Sequence, residues 1–77
     1  MNAALPVVSG REVVRALEKA GFVVERVSGS HHVLVHASDP GRVVVVPVHA
    51  GRDMRSGTLR AIVRQSGLTI EMFRGFL

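Results

Sequence analysis

The sequence predicts an α+β domain in the order α-β-β-β-α, and three observations predict it. A capping signature, Ser9-Gly-Arg-Glu12, stands ahead of apolar residues at helical spacing. Two β-branched, alternating runs flank Gly29-Ser30, and a Val-rich third run, Val43 to Val46, follows Asp39-Pro-Gly41. A second helical repeat begins near Ser56 and stops at Gly67.

The first helix is the best marked. In a capping box the Ser9 hydroxyl accepts from the third helical N–H while Glu12 reaches back to the cap's own N–H, so the helix starts at Gly10. Val13, Leu17 and Ala20 recur on one side with Val14 and Ala16 at its edges, and Arg11, Arg15, Glu18 and Lys19 occupy the other. Gly21 supplies a left-handed stop, which predicts a helix over 10–20.

Strands are expected at 22–28 and 31–37. Gly29 in the first place of a two-residue connection suits a type II′ hairpin turn. Ser38-Asp-Pro-Gly41 puts Pro and Gly at the centre of a type II turn leading into a strand over 42–48. Pro47 cannot donate a ladder hydrogen bond, so this strand ends near it or lies at an edge. Ser56 is the expected cap of the second helix, with Leu59, Ile62 and Val63 inward and Arg60 and Arg64 outward. Thr69 caps a short final turn over 70–76 whose Met72, Phe73 and Phe76 pack back. Both main helices then cover one face of a three-stranded antiparallel meander. The other face, or the edge of the third strand, is left for a partner or a homodimer mate.

The 77 residues suffice for one domain with a thin core, 9–77, behind a tail at 1–8. The absence of cysteine excludes a disulfide scaffold and a thiolate zinc site. The longest apolar run, Val43 to Val48, is far short of the roughly 18 to 20 residues that span a bilayer, and the first residues lack the features of a signal peptide. No membrane association and a cytoplasmic setting are therefore expected. The net charge is +4, and nine of the ten basic residues are Arg, whose planar fork suits phosphate.

Three of the four histidines lie in Val27-Ser-Gly-Ser-His-His-Val-Leu-Val-His36. On a strand His32 and His36 share a face but stand about 13 Å apart, and His31 and His32 point to opposite faces, so no metal ion is expected there. A two-residue turn pairs Ser28 with His31 and Arg26 with Val33. With unbroken alternation Val24, Val35, Phe22 and Ala37 follow on that same side, which is the apolar one. On this reading His31 ends the core-facing column beside Arg26, and His32 and His36 look away. An imidazole titrates near neutrality and a guanidinium stabilises phosphorus-borne charge, so such a pair suits phosphodiester cleavage; a solvated hairpin tip accounts for the same residues.

Gly21-Phe22, Arg26-Val-Ser-Gly-Ser-His-His32, Val46-Pro-Val-His49 and Gly57-Thr-Leu-Arg-Ala-Ile-Val-Arg-Gln-Ser-Gly-Leu-Thr69, in that order, resemble the HicA (YcfA-like) toxin family over Ser9 to Phe73. The resemblance implies a double-stranded-RNA-binding-domain-like fold and a messenger-RNA endoribonuclease without metal or cofactor. It also implies a HicB-like antitoxin partner that covers the active site. Its catalytic histidine carries over to His31, with Gly29 and Ser30 completing the motif and His32 as second choice, since some members have their only histidine there. His49 is an auxiliary candidate, and Arg26, Arg52, Arg55 and Arg60 are the residues expected to track phosphate. Arg11 and Arg15 equally suit a solvated helix face. A non-catalytic RNA-binding module and a protein-interaction domain are the alternatives in other classes.

Overall fold

A computed structural model describes residues 4–77, in the order α1 (Gly10–Lys19), β1 (Phe22–Ser28), β2 (His31–His36), β3 (Asp39–Pro47), α2 (Ser56–Ser66) and α3 (Ile70–Gly75). The strands form one antiparallel sheet in the order β1-β2-β3, and α1 and α2 pack on the same side of it. This is the predicted α+β arrangement, compatible with a double-stranded-RNA-binding-domain-like fold.

α1 begins as its sequence requires. The Ser9 hydroxyl accepts from the Glu12 N–H at 3.2 Å and the Ser9 N–H donates to Glu12 Oε1 at 3.0 Å, both halves of the capping box. Val13, Leu17 and Ala16 are buried and Arg11, Arg15 and Glu18 exposed. Gly10 has a packing reason as well: a Cβ there would stand 2.5 Å from the Pro47 carbonyl oxygen, so α1 meets the end of β3 only because the side chain is missing.

The core lies between helices and sheet. Phe22, Leu34, Val44 and Val46 meet Val13, Leu17, Leu59, Ile62, Val63 and Phe73, and Phe73, Leu17, Leu34 and Val46 are almost wholly buried. Arg42 fastens β3 to the end of α2: its guanidinium donates to the Ser66 carbonyl and lies 5.5 Å from the Phe22 ring centroid. Ser66, fully buried, donates from its hydroxyl to the Val63 carbonyl and accepts from the Leu68 N–H, so the polar groups at this helix end are satisfied. Gly67 closes α2 in the left-handed conformation.

The β1–β2 turn is of the predicted kind. Gly29 has φ +58, and no described non-glycine residue has positive φ, so Ser30 cannot be the second residue of a type I′ turn. β3 ends at Pro47 and is an edge strand. Three local expectations fail. The β2–β3 turn is Ala37-Ser38, held by the Ala37 N–H on the Gly21 carbonyl and the Ser38 N–H on His36 Nδ1. Pro40 and Gly41 therefore lie inside β3, and Gly41 lacks the positive φ that a type II turn demands. Arg55 is the N-cap residue of α2 and Ser56 its first helical residue, because the helical ladder already starts at the Arg55 carbonyl. Met72 is exposed, since the buried side of a six-residue helix is taken by Phe73 and the next position lies about 100° around.

The largest departure concerns parity. Ser28 pairs with His31 and Arg26 with Val33 as expected, but Val24 pairs with Leu34 and Phe22 with His36. Glu25 is an extra residue, a β-bulge between Val24 and Arg26. It reverses the alternation of β1, so Phe22 and Val24 turn to the helices while Arg26 and Ser28 turn away. The expectation that His31 and Arg26 end the core-facing column, and that His32 and His36 look outward, is therefore overturned.

Candidate active-site clefts at the start of helix α1

His31 is exposed on the face of the sheet away from the helices, paired with Ser28 and Pro47. Arg26 lies on the same face one pair along, so the two remain neighbours, in the open. The rest of that face is apolar: Val33 pairs with Val45, and Val35 with both Val23 and Val43.

His32 points the other way. It pairs with the fully buried Val46 and is itself only partly exposed. With Arg11, Val14, Arg15, Glu18 and Val48 it lines a cleft of about 180 Å³ between α1, the start of β2 and the residue after β3. Arg11, Arg15 and Glu18 recur at i, i+4 and i+7, so one ridge of α1 forms a wall of this cleft. His32 Nδ1 is buried without a hydrogen-bond partner among the described residues. Most buried polar atoms are hydrogen-bonded, which sets this one apart.

A second cleft, about 290 Å³, opens on the other side of the α1 start. Gly10, His49, Arg52, Asp53, Arg55 and Thr58 are in its walls. The segment carrying His49 to Arg55 is tied down rather than loose. The Val48 N–H donates to the Ser30 carbonyl, the Arg52 N–H to that of His49 and the Met54 N–H to that of Val8. Asp53 also forms an isolated bridge with Ser9, the α1 cap residue.

The expected site residues therefore divide into groups. His49, Arg52 and Arg55 converge on one cleft, and His32 is in the cleft beside it. Gly29 and Ser30 form the turn, with Ser30 gripping the end of β3 through its carbonyl. Arg26 and His31 stay on the open face, and Arg60 lies on α2, in a groove that Arg64 and Leu68 also line. His36 serves the fold, with its ring edge-to-face on Phe22 at 5.0 Å and its Nδ1 holding the Ser38 N–H. Arg11, Arg15 and Glu18 are the residues that reading the sequence undervalued; their helical spacing was visible, but which neighbour they met depended on the parity of β2.

The Glu12 carboxyl is held below its ordinary value, chiefly by the Ser9 backbone N–H, then by the Ser9 hydroxyl and by Arg15. It stays ionised at the start of α1, where a negative charge suits the helix dipole. Among the described residues no three of His, Asp and Glu gather as a metal ion would require, and no helix is long and apolar enough to cross a membrane.

The family model for the HicA toxin of bacterial toxin-antitoxin matches residues 10–68 of the chain, from the first residue of α1 through the residues that close α2. No curated protein matches the chain.

Proposed function

The chain belongs to the HicA toxin family, and from that premise we propose that it is an endoribonuclease acting on messenger RNA, with His32 as its proton-transferring residue. The observation that carries the reading is the placement of His32: a half-buried imidazole in the wall of a cleft that two arginines also line. His31, the first expectation, faces solvent on the opposite side of the sheet, beside Ser28, Arg26 and a run of valines.

A phosphodiester seated in this cleft meets what cleavage needs. The imidazole takes a proton from the RNA 2′-hydroxyl or gives one to the departing 5′-oxygen. Arg11 and Arg15 stabilise the charge that builds on the non-bridging oxygens, with Glu18 as the one carboxylate in the same walls. No metal ion takes part in this scheme. One positioned proton-transfer group contributes about 10²- to 10⁴-fold, which suits a slow nuclease whose effect accumulates over many transcripts. Family membership implies an antitoxin partner; in our reading it is HicB-like and acts by covering these clefts.

The test is cleavage of a labelled RNA by the purified full chain in excess EDTA. The expected result is cleavage by the wild type and about 10²- to 10⁴-fold slower cleavage by His32→Ala, with salt-sensitive RNA affinity kept in both. Binding without cleavage in the wild type would make the chain a non-catalytic RNA-binding module, and loss of activity only on adding EDTA would call for a metal.

A further inference from the structure

We propose that the larger cleft beside the His32 cleft is a second phosphate subsite, holding the nucleotide next to the scissile phosphodiester on a single RNA strand; this rests on the His32 cleft being the cleavage site. The two clefts share a rim. Gly10 lines one and Arg11 the other, and Pro47 and His49 line one while Val48 lines the other. A polymer leaving the first cleft along this rim enters the second.

The lining has the right charge. Arg52, Arg55 and His49 face a single carboxylate, Asp53, whose backbone is occupied in the bridge to Ser9. Guanidinium pairs are suited to phosphate oxygens, and His49 adds a further N–H donor. The hydrogen bonds of Arg52 to His49 and Met54 to Val8 fix the loop before any ligand arrives, so little ordering entropy opposes binding.

Distance decides between a second catalytic group and a second subsite. His32 and His49 line different clefts, so they address different phosphates. Yet His32 pairs with Val46, about 5 Å away across the ladder, and the three steps from Val46 to His49 add at most about 11 Å. Phosphates in the two clefts are therefore close enough to belong to one strand. The substrate this predicts has at least two consecutive phosphates, and a dinucleotide with one is a poor substrate.

The experiment starts from an RNA oligonucleotide cleaved by the full chain at a mapped bond, trimmed from each end until the scissile phosphate stands alone. For the wild type, removing the neighbouring phosphate on one side lowers kcat/KM about tenfold or more, the size of a charge-assisted contact. In Arg52→Ala/Arg55→Ala the same trimming changes kcat/KM by no more than about twofold. Arg64→Ala/Arg74→Ala, which removes the same two charges on α2 and α3, keeps the wild-type dependence. An equal loss on trimming in wild type and double variant overturns the subsite. Affinities for the same set carrying 2′-deoxyribose at the scissile position give a readout without turnover, and the same length dependence is expected there. If no RNA is cleaved, oligoribonucleotides of stepwise decreasing length are used instead, and a length-dependent affinity lost in the double variant removes the proposed reaction and keeps the subsite. Affinity independent of Arg52 and Arg55 at every length overturns the subsite even if His32-dependent cleavage stands.

Discussion

His31 and His32 are consecutive residues on opposite sides of one sheet, and the sides differ in kind. The side of His31 carries Val23, Val33, Val35, Val43 and Val45, with Arg26 at its end, and none of the described helices covers it. The side of His32 carries the core, and where the core runs out, at the start of α1, it gathers arginines into two clefts. What separates them is not composition, since both histidines belong to one hairpin. A single inserted residue, Glu25, decides which side of the hairpin meets the helices.

That comparison can be broken most directly by deleting Glu25. Without the extra residue, either Phe22 and Val24 leave the core or the hairpin tip turns over, and a loss of about 3 kcal/mol or more in urea unfolding is expected. Glu25→Ala keeps the residue count and is expected within about 0.5 kcal/mol of wild type. Equal stabilities for the two would remove the bulge from the account. Within one strand pair, Leu34→Ala should cost about 2–5 kcal/mol, because Leu34 is wholly buried. Val45→Ala on the open side, with Val45 at 43% exposure, should cost less than about 1 kcal/mol. Similar costs for these two would mean that the open side is covered in solution.

A smaller effect separates the arginines. Arg11→Ala should lower cleavage about tenfold and reduce the slope of log affinity against log salt by about 0.7, the amount for one phosphate contact on a single strand. Arg26→Ala, on the valine side, should stay within about twofold. The reverse order would move the substrate to the other face. Smallest is the cap that sets the start of α1. Ser9→Ala should cost about 1 kcal/mol in thermal or urea unfolding. The lowered Glu12 carboxyl contributes stability above its ordinary value near 4.5, and that contribution is lost as pH falls through the lowered one. Glu12→Gln should therefore flatten the acid limb of the stability curve while leaving both faces of the sheet as they are.

Much of this fold was legible in the sequence because local chemistry marked it. The capping box at Ser9 and Glu12, the turn at Gly29 and the stop at Gly67 each require a particular residue at a particular place, and each is where it was expected. What escaped were features settled by tertiary contacts. The Ala37-Ser38 turn won over Asp39-Pro-Gly because the Gly21 carbonyl and the His36 ring offered partners to its N–H groups. The bulge left only a faint trace, the adjacent charges Glu25 and Arg26 in an otherwise alternating edge strand, where both can reach water. Missing it reversed the placing of the histidines. It also hid the meeting of His32 with Arg11 and Arg15, although the ridge itself followed from helical spacing. His49, Arg52 and Arg55 were legible as basic residues, but only the ties of their loop to Val8, Ser9 and Ser30 bring them to one cleft.

The most direct measurement is the single-turnover cleavage rate of one RNA by His31→Ala and His32→Ala side by side, both checked for wild-type melting. A fall of about 10²- to 10⁴-fold is expected for His32→Ala and of no more than about twofold for His31→Ala. A His31→Ala protein that no longer cleaves, beside a His32→Ala protein that does, would contradict that expectation and return the chemistry to the open face of the sheet.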